Sequence, residues 1–122
     1  MDKRVLVIED EPNISEAIRF ILTRDGWHVD VTADGVAAVG ALQTNPPDVL
    51  ILDLMLPGFS GFDILKTLRA NPATQAMPVL MLTAKGQAAD REEAERLGVT
   101  RFMTKPFANA EVVAAVQEMT GT

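Results

Sequence analysis

Three stretches of the chain are apolar at every position: Val5-Leu6-Val7-Ile8, Val49-Leu50-Ile51-Leu52 and Val79-Leu80-Met81-Leu82. Unbroken aliphatic runs of this length predict strands covered on both faces, as in the middle of a parallel sheet. Two further stretches alternate instead. Trp27, Val29 and Val31 are interleaved with His28, Asp30 and Thr32, and Phe102 stands between Arg101 and Met103. Alternation implies a face or edge in contact with water, so these two strands are expected at the sheet edges.

The segments between the strands carry helical spacing. Ile14, Ala17, Ile18, Ile21 and Leu22 repeat along one face, behind an Asn13/Glu16 pair that resembles a capping box. Asp34 is placed to cap a second helix with Val36, Val39 and Leu42, which Pro46-Pro47 terminates. Ile64, Leu65 and Leu68 mark a third helix that closes near Asn71-Pro72. Gln87 to Leu97 reads as a fourth, polar helix ended by Gly98, and Val112, Val113, Val116 and Met119 mark the last. The order is βα five times over. Right-handed crossovers and three buried central strands then predict an α/β fold with a doubly wound, five-stranded parallel sheet in the flavodoxin-like order 2-1-3-4-5. In such a sheet ligands bind at the carboxyl ends of the strands, where the order reverses between strands 1 and 3.

Those ends are polar. Strand 1 runs into Glu9-Asp10-Glu11, strand 3 into Asp53, strand 4 into Thr83-Ala84 and the last strand into Lys105-Pro106. A terminal Asp often does no more than cap the next helix, and a lone Lys is usually a solvated charge. Capping does not explain a Lys and three carboxylates on one rim. Glu9, Asp10 and Asp53 against Lys105 leave roughly two net negative charges, which a cation would offset. Oxygen ligands without His or Cys suit Mg²⁺. A carboxylate, a hydroxyl, a Lys and Mg²⁺ are the parts phosphoryl transfer requires, with Asp53 as nucleophile.

Composition narrows the choice. At 122 residues, 48% hydrophobic and 23% charged, the chain fits a single packed domain over residues 1–122. Eleven Lys and Arg against 17 Asp and Glu give a net charge of -6. That surface repels phosphate backbones, so no direct nucleic-acid contact is expected. The absence of Cys excludes disulfides and thiolate metal sites. Only Val5 to Ile8 separate Lys3-Arg4 from the first acids, too little for an export signal, and no apolar run approaches the ~20 residues of a membrane helix. A cytoplasmic location without membrane contact is expected. The start at Met1 and the end just past the last helix lead to the expectation of a stand-alone domain.

The segments Val7-Ile8-Glu9-Asp10-Glu11-Pro12, Asp53-Leu54-Met55-Leu56-Pro57-Gly58, Leu82-Thr83-Ala84 and Thr104-Lys105-Pro106-Phe107 together resemble the receiver domain of two-component response regulators. The resemblance spans essentially the whole chain. It implies that Asp53 accepts a phosphoryl group from a histidine of a sensor kinase or phosphotransfer protein. It implies that Asp10 and Asp53 ligate Mg²⁺ directly, Met55 through its backbone carbonyl and Glu9 through a water. Thr83 would be the switch hydroxyl, with the small Ala84 beside it leaving access to the acyl phosphate. Lys105 would bind the phosphoryl group, ahead of a cis bond to Pro106. Phe102 would be the rotating aromatic that links the site to the surface of the fourth helix, last strand and last helix, read by a downstream protein effector. Four positions depart from the family's commoner residues: Glu9 stands for Asp, Phe102 for Tyr, and Thr100-Arg101 for an acidic pair.

The implied activity is that of a signalling domain rather than an enzyme, supporting its own phosphoryl transfer and slow autodephosphorylation. Met55 and Lys85 would overhang the approach of hydrolytic water. The last helix has no Lys or Arg, so a monomer or weak dimer is expected rather than a charge-paired one. The rival reading is an aspartyl-nucleophile, Mg²⁺-dependent phosphatase, which usually has a second Asp where Met55 stands. An FMN carrier fails on the acids after strand 1, and a receiver that has lost its chemistry fails on the intact acidic set. His28 and Trp27 read as an edge-strand imidazole and a packing residue. Ser60 lacks a His partner and is no nucleophile.

Overall fold

The computed structural model describes residues 3–56, 59–84 and 88–121. In chain order the elements are β1 (Arg4–Ile8), α1 (Pro12–Arg24), β2 (His28–Thr32), α2 (Gly35–Thr44), β3 (Val49–Asp53), β4 (Met55–Leu56), β5 (Phe59–Ser60), α3 (Gly61–Ala70), β6 (Val79–Thr83), α4 (Ala88–Arg96), β7 (Arg101–Thr104) and α5 (Asn109–Thr120). Five strands pair in parallel in the order β2-β1-β3-β6-β7. With the short β4-β5 ribbon set aside, this is the expected 2-1-3-4-5 order. The unbroken apolar runs lie inside the sheet, and every residue of β3 and β6 is buried. The alternating runs form the edges. In β2, Val29 is buried between exposed His28 and Asp30.

Helices cover both faces. Ala38 and Leu42 of α2, Ile64, Leu65 and Leu68 of α3, and Ala94 of α4 pack on one face with Leu50, Leu52, Val79 and Met81. Ile18 and Leu22 of α1 and Val112, Ala115 and Val116 of α5 pack on the other, with Val5, Val7, Val49 and Ile51. Each fully buried Leu or Ile contributes about 1.5–3 kcal/mol, so the two layers lock the strand order. Trp27 is buried at the entrance to β2, and Asp34 caps α2 by accepting from Val36 and Ala37 N–H at 3.0 and 3.1 Å.

One local expectation is corrected, and one element is new. No Asn13/Glu16 box starts α1; the helix begins at Pro12, with Glu11 in the cap position and no side-chain cap bond. Proline at the first helical position has its φ already set and no N–H to satisfy, so it opens the helix before Asn13. The antiparallel ribbon of Met55-Leu56 with Phe59-Ser60 was not anticipated. Two-residue strands carry no periodicity to read. The expected start of the fourth helix at Gln87 lies outside the described residues, which show it from Ala88. Among the described residues no helix is long and apolar enough to cross a membrane.

Candidate functional site

β1 and β3 are neighbours in the sheet, so the groups that end them are neighbours too. Glu9 follows β1 directly, held there by its N–H donating to the Thr32 carbonyl at 3.0 Å. Asp53 is the last residue of β3, and its Oδ1 accepts the Met55 N–H at 3.2 Å. Both acids are buried, at 2% and 3% exposure, while Asp10 is half-buried. Carboxylate oxygens of Glu9, Asp10 and Asp53 lie within 4.8 Å of one another.

Lys105 arrives from the far edge of the sheet. The Thr83 carbonyl accepts its backbone N–H at 2.7 Å, which continues the β6–β7 pairing by one residue. The Lys105–Pro106 peptide is cis. Lys105 Nζ donates to Glu9 Oε1 at 2.6 Å and lies 3.6 Å from both Asp53 Oδ2 and Glu11 Oε1. Thr83 is buried at the end of β6, and Ala84 beside it is exposed. Phe102 is half-buried on β7, opposite Met81.

Electrostatics follow from this packing. Burial raises the Glu9 carboxyl to about 7, reinforced by a hydrogen bond and charge from Asp53 and opposed by Lys105. Burial alone pulls the Lys105 ammonium down, but the Glu9 hydrogen bond and the charges of Asp53, Glu9 and Glu11 outweigh it, and its pKa is raised. Three close carboxylates with one ammonium supply hard oxygen donors and uncompensated negative charge, which suits a divalent metal. The donor set fits.

A raised Glu9 has a consequence for stability. The unfolded carboxyl loses its proton near 4.5, whereas the folded one keeps it until about 7. The folded state therefore holds the extra proton between those values, and stability falls as pH rises through that window. The loss is on the order of 3 kcal/mol. In chelator, Glu9→Gln is expected to remove this slope and to be more stable than the wild type at pH 8. Urea melts of both proteins at pH 5 and pH 8 measure it; equal slopes would show that Glu9 is ionised throughout.

The profile of the response regulator receiver domain matches residues 5–117. The chain belongs to the response-regulator receiver family. Its sequence is 39% identical over 116 residues to the phosphate regulon transcriptional regulatory protein PhoB of Rhizobium meliloti (strain 1021), covering 95% of this chain and 51% of that protein. The receiver thus spans about half the length of that relative. Its fold superposes with a TM-score of 0.90 on the chemotaxis response regulator CheY4 of Vibrio cholerae, at 28% identity and covering 98% of this chain and 99% of that one. A TM-score of 0.90 also relates it to the receiver domain of sensor histidine kinase PA1611 from Pseudomonas aeruginosa PAO1, at 29% identity with both chains fully covered. That structure has a magnesium ion coordinated in its active-site cleft. Nothing in these likenesses favours a phosphatase.

The structure also shows participants that sequence reading passed over. Glu11 sits close enough to Lys105 to share its charge. Ser60, set aside as a nucleophile, caps α3 by accepting the Phe62 N–H at 3.1 Å. Gly61 lets α3 start against the end of β3. A Cβ there would lie 2.7 Å from the Asp53 carbonyl oxygen and 2.8 Å from Leu54 Cα. A Ser-Gly pair ahead of a helical run is the signal that could have pointed to both.

Proposed function

We propose that this receiver takes a phosphoryl group onto Asp53 from the phosphohistidine of a sensor kinase or phosphotransfer protein. The supporting observation is the Asp53 carboxylate, buried at a strand end 3.6 Å from Lys105 Nζ and grouped with the carboxylates of Glu9 and Asp10. An Asp53 oxygen attacks phosphorus, the P–N bond breaks, and the imidazole leaves with the electron pair and takes up a proton. An acyl phosphate remains. Asp10 and Asp53, the Met55 carbonyl and Glu9 through a water are the groups that, by the family resemblance, would hold Mg²⁺, and the carboxylates of Glu9, Asp10 and Asp53 lie close enough together to support it. Bound there, the ion would supply positive charge for the transferring phosphoryl oxygens.

The chain's own residues do the rest. Lys105 offers an ammonium to a phosphoryl oxygen once it leaves Glu9. Thr83 presents its hydroxyl from the end of β6, and Ala84 leaves the approach open. Thr83 and Phe102 then carry the change to the surface of α4, β7 and α5, where a downstream protein is the partner. On that surface Arg101 pairs with Glu118 and Arg96 with Glu93, so these charges are matched within the chain rather than offered to a second copy or to DNA. The working state is a monomer or weak dimer.

Incubation with Mg²⁺ and a small acyl-phosphate donor, followed by intact mass and site mapping, tests the assignment. A gain of one phosphoryl group on Asp53, lost in excess chelator, is expected. Uptake elsewhere, or uptake indifferent to chelator, refutes it.

The acyl phosphate is expected to last minutes or longer. Hydrolysis needs a water in line with the Asp53–phosphorus bond, and Met55, 72% exposed with its N–H on Asp53, is an apolar side chain at the mouth of the site. It excludes water without orienting it. Lys85, the other residue expected over this approach, lies outside the described residues. Met55→Asn is expected to speed decay about tenfold, equivalent to roughly 1.4 kcal/mol in the barrier. Following the phosphoprotein after donor removal gives the rate; unchanged decay would exclude shielding by Met55.

A further inference from the structure

Phe102 lies opposite Met81, and Thr104 opposite Thr83, across the β6–β7 pairing. Alternation puts all four on one face of the sheet, the face on which α4 packs. Over the Phe102 ring sits Arg91 of α4, its guanidinium carbon 4.9 Å from the ring centroid. Glu95 stands one helical turn further on, within ordinary reach of an i,i+4 ion pair. Among the described residues no carboxylate pairs with Arg91. It takes the ring instead.

The two ends of α4 are held very differently. Of its nine residues only Ala94 is buried. Its C-terminal end is fastened through the turn at Gly98, whose φ of +93° lets the Val99 N–H reach back to the Ala94 carbonyl at 3.0 Å. The Gly98 carbonyl accepts from Arg69 Nε at 2.9 Å. Arg69 Nη1 also donates to the carbonyls of Thr74 and Gln75, at 3.3 and 3.1 Å. This anchor ties the end of α4 to α3 and the loop after it. Ahead of Ala94, the stacked Arg91 ties the helix to the sheet.

We infer that Arg91 is a positioning residue of the switch: its guanidinium on Phe102 latches α4 to β7, and the helix pivots about the Arg69–Gly98 anchor when the ring moves. The inference rests on the reading of Asp53 as acceptor and Phe102 as the coupled aromatic. A swing of the ring toward Thr83 takes it out from under Arg91, so the latch opposes switching and sets its balance. A cation stacked at a surface site biases a two-state equilibrium by about two- to fivefold. Lysine keeps the charge but not the planar group, so it restores only part of the contact.

The test is titration of the full chain with beryllofluoride in Mg²⁺, a stable mimic of the phosphoryl group, together with amide hydrogen exchange. Wild type, Arg91→Ala, Arg91→Lys, Phe102→Leu and the double variant Arg91→Ala/Phe102→Leu are compared. Arg91→Ala is expected to bind the mimic about two- to fivefold more tightly and to speed exchange in α4 but not in α5. Arg91→Lys should fall between the two, and Arg91→Ala should change nothing further once Phe102 is Leu. Unchanged affinity or unchanged α4 exchange in Arg91→Ala overturns the latch alone, as does an equal effect in the Phe102→Leu background. A wild type that fails to bind the mimic overturns the acceptor reading and the latch with it.

Discussion

Asp53→Asn is expected to lose phosphoryl uptake altogether while folding as the wild type does. The amide keeps an oxygen for the Met55 N–H, so the turn after β3 retains its bond. It offers no anionic nucleophile, and acyl phosphate formation stops with it. Removing one of three carboxylates crowded within 4.8 Å also relieves repulsion, so thermal stability in chelator should hold or rise. The same change should weaken Mg²⁺ binding by removing a ligand. Intact mass after donor treatment, a melt in chelator and a Mg²⁺ titration separate these effects. Residual uptake at the wild-type level would move the acceptor to another residue. Lost uptake with a collapsed melting transition would instead make Asp53 structural.

Gly61→Ala is expected to destabilise the fold by about 2–3 kcal/mol, the range of an overpacked core position. The added methyl would meet backbone, not a movable side chain: the Asp53 carbonyl oxygen at 2.7 Å and Leu54 Cα at 2.8 Å. The Gly61 N–H also donates to the Leu54 carbonyl at 2.9 Å, so α3 cannot back away without losing that bond. Because the clash falls on the residue that carries the acceptor, phosphorylation should slow as well. Gly40→Ala is the control. No atom lies within 4 Å of its Cβ in α2, and the exchange should stabilise by about 0.5–1 kcal/mol. Urea denaturation of both variants decides the matter, and a neutral Gly61→Ala would mean that α3 has room to shift.

Much of this architecture was written locally. The unbroken runs at 49–52 and 79–82 went to the centre of the sheet because only a strand covered on both faces tolerates apolar residues at every position. The alternating runs around Val29 and Phe102 went to its edges for the converse reason. Asp34 announced α2 through a side chain that accepts from two N–H groups of the helix's first turn, those of Val36 and Ala37. Where two local signals competed, the reading failed: Asn13/Glu16 suggested a start that Pro12 had already made. The β4-β5 ribbon was invisible because two residues per strand define no period.

The sequence by itself determined the order of the five βα units, the buried and edge strands, and the strand ends on which the polar residues fall. Periodicity, caps and breakers act over a few residues, and a single chain displays them directly. Tertiary structure decided everything that depends on distance between remote residues. It brought Lys105 to Glu9 across 96 positions, put Glu11 beside the same ammonium, and set Gly61 against the Asp53 carbonyl. It also chose the Phe102 ring over Glu95 as the seat of Arg91. Such choices turn on packing angles and a few ångströms of separation between elements, and those are properties of the folded layers rather than of any stretch of chain.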